Sequence, residues 1–525
     1  MEKRLLSAKL IRFGVILCVM ALLVAFSYTK HLEAKPANPV YGGTLRMGLS
    51  GGLVGLGYPP ELRKYQDTIS SRPALETLGH YNVNGKMEPW LAESWKVDPA
   101  AKTIIMKLKQ GIKFHDSTDF NAKAVKWNLD QSKSEKAIGT RSIKSVDVVD
   151  NYTVRLNLVR WDNSIIAILG FYGAMISPKA FEKNGKDWCI THPVGTGPFK
   201  FVKWQRDVSI KYEKFDGYWQ KGKPYLDGIE LVMIADPMTG LASFKAGELD
   251  LIPSVQSKEY PALKTSGKYK ITRLKTGNGA ALWSLAGDSI HPNSVYSNLK
   301  VRQAVAHAID KQAIVDSLYH GTAIATNQWG PPGSGAYSSD VKGFSYNPAK
   351  AKQLLAEAGY PKGFKTKINT FSNPPAVALA TALQAYLAKV GIKAEIDPME
   401  AGRFGKQVAR GEWTNALTTL ANRVDPNIAM QMKRTFGSTG FLYAKSLMHT
   451  KELDDMIAQA LGAPDWETQT ALTHKLQKTA YNKYVITAPL FVSGQISAKY
   501  PKVHNDGINL IEATQWTPED TWLEK

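Results

Sequence analysis

Residues 420–427 read LANRVDPN, an arginine and an asparagine beside an Asp-Pro turn signal with apolar segments on both sides. Arg423 offers a planar fork of donors suited to a carboxylate, while Asn422 can donate and accept but cannot neutralise a charge. The plainer alternative is that Arg423 pairs with Asp425 and only braces the turn. Other reactive residue types are scattered. The ten histidines form no His-x-x-x-His pair, no HExxH and no cluster with cysteine, so a metal site has no support. His115-Asp116 in FHDST is the nearest approach to a catalytic pair, and a loop role is its simpler reading. No Walker loop is present. Gly195-Thr196-Gly197-Pro198 lacks the Lys-Ser/Thr and the helix that would cradle a phosphate, and reads as a bend between strands. No catalytic residue, metal or cofactor is expected.

The elements around these residues alternate between strand and helix. TLRMGL, TIIMKLK, YTVRLNLV and VSIKYEKF show period-two alternation, with Tyr152, Val154, Leu156 and Leu158 on one face. Asn151 and Gly111 punctuate them as turns, so antiparallel or mixed sheet is expected. Helical spacing dominates the second half. NLKVRQAVAHAIDKQAIVDSLYHG places Val301, Ala304, Val305, Ala308 and Ile309 on one stripe and ends at Gly321. NPAKAKQLLAEAGYP carries Asn347 as N-cap, Pro348 in the first turn and Gly359 past the end. PAVALATALQAYLAKVGI stops at Gly391, and LDDMIAQAL and ETQTALTHKLQKTAYNKY add two more amphipathic helices.

The chain has 525 residues, 44% hydrophobic and 21% charged, enough for two or three packed cores. Its net charge of +20 is scattered, with no run of five basic residues, so nucleic acid is not the expected partner. Lys3, Arg4, Lys9 and Arg12 precede the apolar run FGVILCVMALLVAF, and a polar exit follows. Those are the parts of a secretory signal peptide, assigned to residues 1–34, with cleavage after Ser27 or Ala34. An uncleaved membrane anchor is the alternative, although the run is short of the roughly 20 residues a span wants. Cys18 lies in that run, which leaves Cys189 alone in the mature chain and reads as a small buried hydrophobe.

Several blocks together resemble the bacterial extracellular solute-binding proteins of family 5, the peptide- and nickel-type receptors of ABC importers. They include GKMEPWLAESWKVDPAAKTIIMKLKQGIKFHDSTDFNAKAVKWNLDQS and VGTGPFKFVKWQRDVSIKYEKFDGYWQKGKPYLDGIEL. FKAGELDLI, VRQAVAHAIDKQAIVDSLYHGTA, YNPAKAKQLLAEAGY and APLFVSG follow in the family's order. Ser117 and Asp119 replace a usual glycine and proline of the first block. The resemblance implies an α/β periplasmic-binding-protein-like fold, two hinged lobes around a cleft with an extra domain on the first lobe. Carried over, lobe I takes residues 41–84, 194–290 and 487–525, the extra domain 85–193, and lobe II 291–486.

It further implies a monomeric, periplasmic substrate-binding protein, not an enzyme. Such a protein passes a small-molecule or peptide ligand to permease subunits in the membrane. In peptide-binding relatives an acidic residue three positions before the Asp-Pro pair holds the peptide ammonium, and here that position is Asn422. Tryptophans expected nearby fall on Thr419 and Ala401. The departure argues for a small polar, carboxylate-bearing solute over ordinary peptides, with Arg423 beside the lost clamp and Arg403 as a second positive group. Trp283, after GNGAAL, falls in the family's cleft-lining region, where packing and ligand stacking are equally good readings. A peptide receptor is the alternative within the family; a secreted hydrolase or chaperone-like protein on this fold is the alternative outside it.

Overall fold

The computed structural model describes residues 38–525 except 63, 138–139, 168, 171–172, 274–279 and 510–515. The expected signal peptide and Cys18 lie outside the described residues. Among those described, no helix is long and apolar enough to cross a membrane.

The strands, in chain order, are β1 (Thr44–Leu49), β2 (Gly79–Tyr81), β3 (Met87–Pro89), β4 (Ala92–Asp98), β5 (Thr103–Leu108), β6 (Ile143–Asp150) and β7 (Thr153–Leu158). Then come β8 (Phe199–Gln205), β9 (Ser209–Lys214), β10 (Gly228–Met233), β11 (Leu251–Ile252), β12 (Lys270–Arg273) and β13 (Ala281–Gly287). The last are β14 (Ala323–Ala325), β15 (Lys365–Phe371), β16 (Lys393–Met399), β17 (Leu417–Arg423), β18 (Ala488–Ser493), β19 (Ile496–Lys499), β20 (Val503–His504) and β21 (Trp522–Leu523).

Three sheets organise the molecule. The first runs β12-β19-β11-β1-β10-β9-β8, with β1 parallel to both β10 and β11 and the outer strands antiparallel. Leu45, Met47, Ile229 and Leu231 are fully buried on it. The second runs β14-β18-β13-β17-β15-β16, with β15, β16 and β17 mutually parallel. The third, β4-β5-β7-β6, is an antiparallel sheet (the meander) in which β7, not β6, pairs with β5; its inward residues Val154, Leu156 and Leu158 belong to the alternating set read from the sequence. It buries Ile104 and Met106 against Val125 and Leu129 of helix Ala122–Ser134.

Sheet membership differs from the expected lobe boundaries at two places. β13 and β18 fall inside the spans 194–290 and 487–525 assigned to lobe I, yet both are hydrogen-bonded into the second sheet. The chain therefore changes sheets between β12 and β13 and again between β18 and β19.

Most expected helices form. Asn347 caps Pro348–Glu357, its Oδ1 accepting from the Lys350 amide at 2.9 Å, and Gly359 follows at φ +91°. The long helix expected after Asn298 is instead two, Leu299–His307 and Lys311–Tyr319. Asp310 breaks it, because its carboxylate accepts from the Ala313 amide and starts the second helix. His320, not Gly321, takes the first left-handed position after Tyr319, at φ +50°.

One buried carboxylate joins the first sheet's body to the third. Glu76 accepts from Trp90 Nε1 (2.9 Å), Thr196 Oγ1 (2.8 Å), Tyr218 OH (2.8 Å) and Trp219 Nε1 (3.0 Å). Burial pushes its carboxyl above the ordinary range, and the four donors oppose that. Gly195 and Gly197 are needed beside it, since a Cβ there would lie 2.1 Å from Ala74 O and 2.5 Å from Pro73 O. His115-Asp116 serves the same junction. His115 is half-buried and bonds Gly197 O at 2.9 Å, and Asp116 holds Thr118 and Ser177. Burial pushes the imidazole down to about 4, so it is neutral at pH 7.

Candidate binding cleft

Parallel strands bring their carboxyl ends to one edge, where an α/β sheet offers a crevice for ligands. In the second sheet that edge carries Phe371, Met399, Arg423 and Ser493 at the ends of β15, β16, β17 and β18. The antiparallel partners β13 and β14 begin there at Ala281 and Ala323. Asn422 and Arg423 thus stand in the middle of the edge. Their cross-strand partners are Leu282 and Ala281.

Alternation along β17 separates the two. Leu420 and Val424, which share a face with Asn422, belong to the core under helix Ile428–Phe436, and Asn422 is buried. Its Nδ2 has no hydrogen-bond partner among the described residues. A buried donor of that kind costs about 1–3 kcal/mol unless water or a ligand satisfies it. Arg423 takes the other face and is exposed; neither it nor Asp425 is without a partner. Asp425 Oδ1 accepts from the Asn427 amide at 2.9 Å, and Asn427 caps the next helix, so the Asp-Pro turn joins strand to helix as its residues predict.

Trp283 lies one register step from Leu282, opposite Ala421. It is 9% exposed and stacks on Phe491 at 6.2 Å. Its indole Nε1 donates to Ser493 Oγ at 3.2 Å, on the same edge. Arg403 stands two strands away, in the short helix Ala401–Phe404 after β16. Its guanidinium makes a bidentate pair with Asp397 (3.1 and 3.1 Å), and its Nε donates to Gln407 Oε1 at 2.8 Å. The structure brings Asn422, Arg423 and Trp283 to one edge and commits Arg403 to its own strand's carboxylate.

The first sheet supplies a facing edge. A crevice of about 200 Å³ lies at the carboxyl ends of β1 and β11, lined by Ser50, Gln66, Ile234, Ser254, Gln256 and Met238 among others. Gln66 Nε2 donates to Ser50 Oγ at 3.2 Å. The two edges meet where Thr322 Oγ1 donates to Ser257 Oγ (3.0 Å) and Arg273 donates to Gly321 O (2.6 Å). These polar crevice residues were not singled out from the sequence. Their only signal was LSGG following a strand, which is common in loops.

The two-sheet body with its appended meander defines a class of hinged solute-binding proteins. The family model for "Bacterial extracellular solute-binding proteins, family 5 Middle" matches residues 86–440, and the chain belongs to that family. A glutathione-binding protein, GsiB, from Shigella dysenteriae serotype 1 is 32% identical over 452 residues, covering 82% of this chain and 86% of the relative. The solved structure of HbpA2 from Haemophilus parasuis superposes with a TM-score of 0.81 at 24% identity, covering 92% of this chain and all of that one. The periplasmic binding protein DppA from Helicobacter pylori, solved with the peptide STSA, gives a TM-score of 0.68 at 25% identity, covering 93% of this chain and 99% of that one.

Proposed function

We propose that this protein is the periplasmic receptor of an ABC importer, and that it captures a small polar solute bearing a free carboxylate between the two strand edges. Lobe I holds the first sheet and carries the meander; lobe II holds the second sheet. Asn422 and Arg423 contact the solute, Trp283 and Ser493 form the wall beside them, and Arg403 stiffens the edge through Asp397.

The observation that carries the reading is the buried Asn422 Nδ2, without a partner among the described residues, one residue before the exposed Arg423 at the carboxyl edge of a parallel sheet. Such a donor is satisfied by an acceptor that arrives with the ligand. Glutathione, bound by the GsiB relative, and the STSA peptide, bound by DppA, both present carboxylates. A peptide receptor is the second reading, favoured by the DppA complex.

A thermal-shift panel of glutathione, short peptides and dicarboxylic acids, each beside its amidated form, tests both readings. A ligand at 100 times its Kd adds about 2.7 kcal/mol of stability. Free acids should raise the melting temperature and their amides should not. Equal binding of acid and amide would overturn the carboxylate assignment, and steady turnover of peptides or esters would overturn the receptor assignment.

A further inference from the structure

A cavity of about 410 Å³ lies apart from the crevice on the first sheet, with Pro426 and Asn427 of the turn after β17 in its lining. It lies between the meander with its β2-β3 hairpin on one side and the helices of the second lobe on the other. The chain joins the meander to the first sheet, through β3 to β4 and through the segment before β8. Its contacts with the second lobe are noncovalent. Trp161 Nε1 donates to Gly462 O (3.0 Å), Asn163 Nδ2 to Ala460 O (2.7 Å), and Asn427 Nδ2 to Asn163 Oδ1 (2.8 Å). Lys86 pairs with Glu467 at 2.7 Å. The cavity lies along this seam.

Its lining chemistry is specific. Three half-buried tryptophans face it from different elements: Trp95 on edge strand β4, Trp161 after β7, and Trp466 at the start of helix Trp466–Lys478. Met87 and Ile166 add apolar surface. The charged lining groups are largely spent. Lys86 and Glu467 neutralise each other, and the Asp465 carboxylate caps the helix through Thr468 N (2.7 Å) and Oγ1 (3.0 Å). Lys96, an exposed side chain, is the remaining charged group of the lining. Three indoles around a neutralised space of this volume suit a flat π-system, through offset or edge-to-face contacts, more than a hydrated polar solute.

We propose that this cavity is a second ligand site, separate from the solute cleft, that takes a planar aromatic molecule. An occupant contacts the meander and the second lobe at once and bridges the seam.

The probe is 5-fluoroindole, titrated into the full mature chain and followed by fluorine NMR. Saturable binding is expected in the wild type. Trp95→Ala removes one wall and Ile166→Phe fills the cavity while keeping every tryptophan; each should weaken binding at least tenfold, with folding checked by circular dichroism. Phe441→Ala removes the most exposed large hydrophobic side chain, 63% accessible and outside the cavity, and should leave the titration unchanged. Non-saturating binding in the wild type, or one affinity shared by all four proteins, would overturn the proposal.

Discussion

Replacing Glu76 tests how the first sheet's body is fastened to the meander. Two donors reach each carboxylate oxygen: Trp90 and Tyr218 meet Oε1, Thr196 and Trp219 meet Oε2. Glu76→Ala leaves all four without an acceptor in a site that excludes water. At about 1–3 kcal/mol for each orphaned buried donor, less whatever the two hydroxyls recover by turning, the loss should be about 3–6 kcal/mol. Glu76→Gln keeps one acceptor oxygen and puts an NH2 against the other pair. Thr196 can rotate to accept from it, whereas an indole N–H cannot, so about 2 kcal/mol is expected. Urea unfolding followed by tryptophan fluorescence reads the transition directly, because Trp90 and Trp219 sit edge-to-face at 5.5 Å beside the carboxylate. An alanine variant within 1 kcal/mol of wild type, as an order-of-magnitude threshold, would refute the hub.

Arg423→Ala should weaken a carboxylate ligand by about 2–5 kcal/mol, thirtyfold to several thousandfold, and Arg423→Lys should recover only part. Calorimetry showing wild-type affinity in the alanine variant would leave Arg423 as a turn brace with Asp425. Glu519 is buried, and burial is the main cause that pushes its carboxyl up to about 8. A value raised on folding stabilises fully below the ordinary carboxylate range and loses that contribution as pH climbs towards 8. Stability should therefore fall over that window, by up to about 1.4 kcal/mol per pH unit from this group. Glu519→Gln should flatten the profile and melt higher than wild type at pH 8. Mass spectrometry of the exported protein should find a first residue between Tyr28 and Asn38; intact Met1 in the membrane fraction would favour an anchor.

How much of this was legible in the sequence depended on the range of the interaction. Strand alternation in YTVRLNLV and the Asn347 cap are local, and both appear as read. The single helix expected over residues 299–320 failed because apolar spacing ran through Asp310, whose capping bond outweighed the continuing stripe. The family blocks PWLA, GTGP and GYW identified the fold, yet they do not mark a ligand site. Trp90, Thr196, Tyr218 and Trp219 converge on Glu76, a residue no motif pointed to. Arg403 looked available because nothing in the sequence told that Asp397, six residues earlier, would lie within a bidentate bond. The tryptophan cavity was invisible for a related reason. Its walls come from residues 95, 161 and 466, and only the docked arrangement makes them neighbours.

The central claim is a cleft that closes on a solute, which shifts a population of open and closed forms. Small-angle scattering of the mature protein tests it, without ligand and then at saturation with whichever free acid raises the melting temperature. A compact body of this length has a radius of gyration of about 23 Å. A larger value is expected in the ligand-free protein, with a fall towards that figure on saturation as the cleft closes. An unchanged scattering curve with ligand demonstrably bound would contradict it.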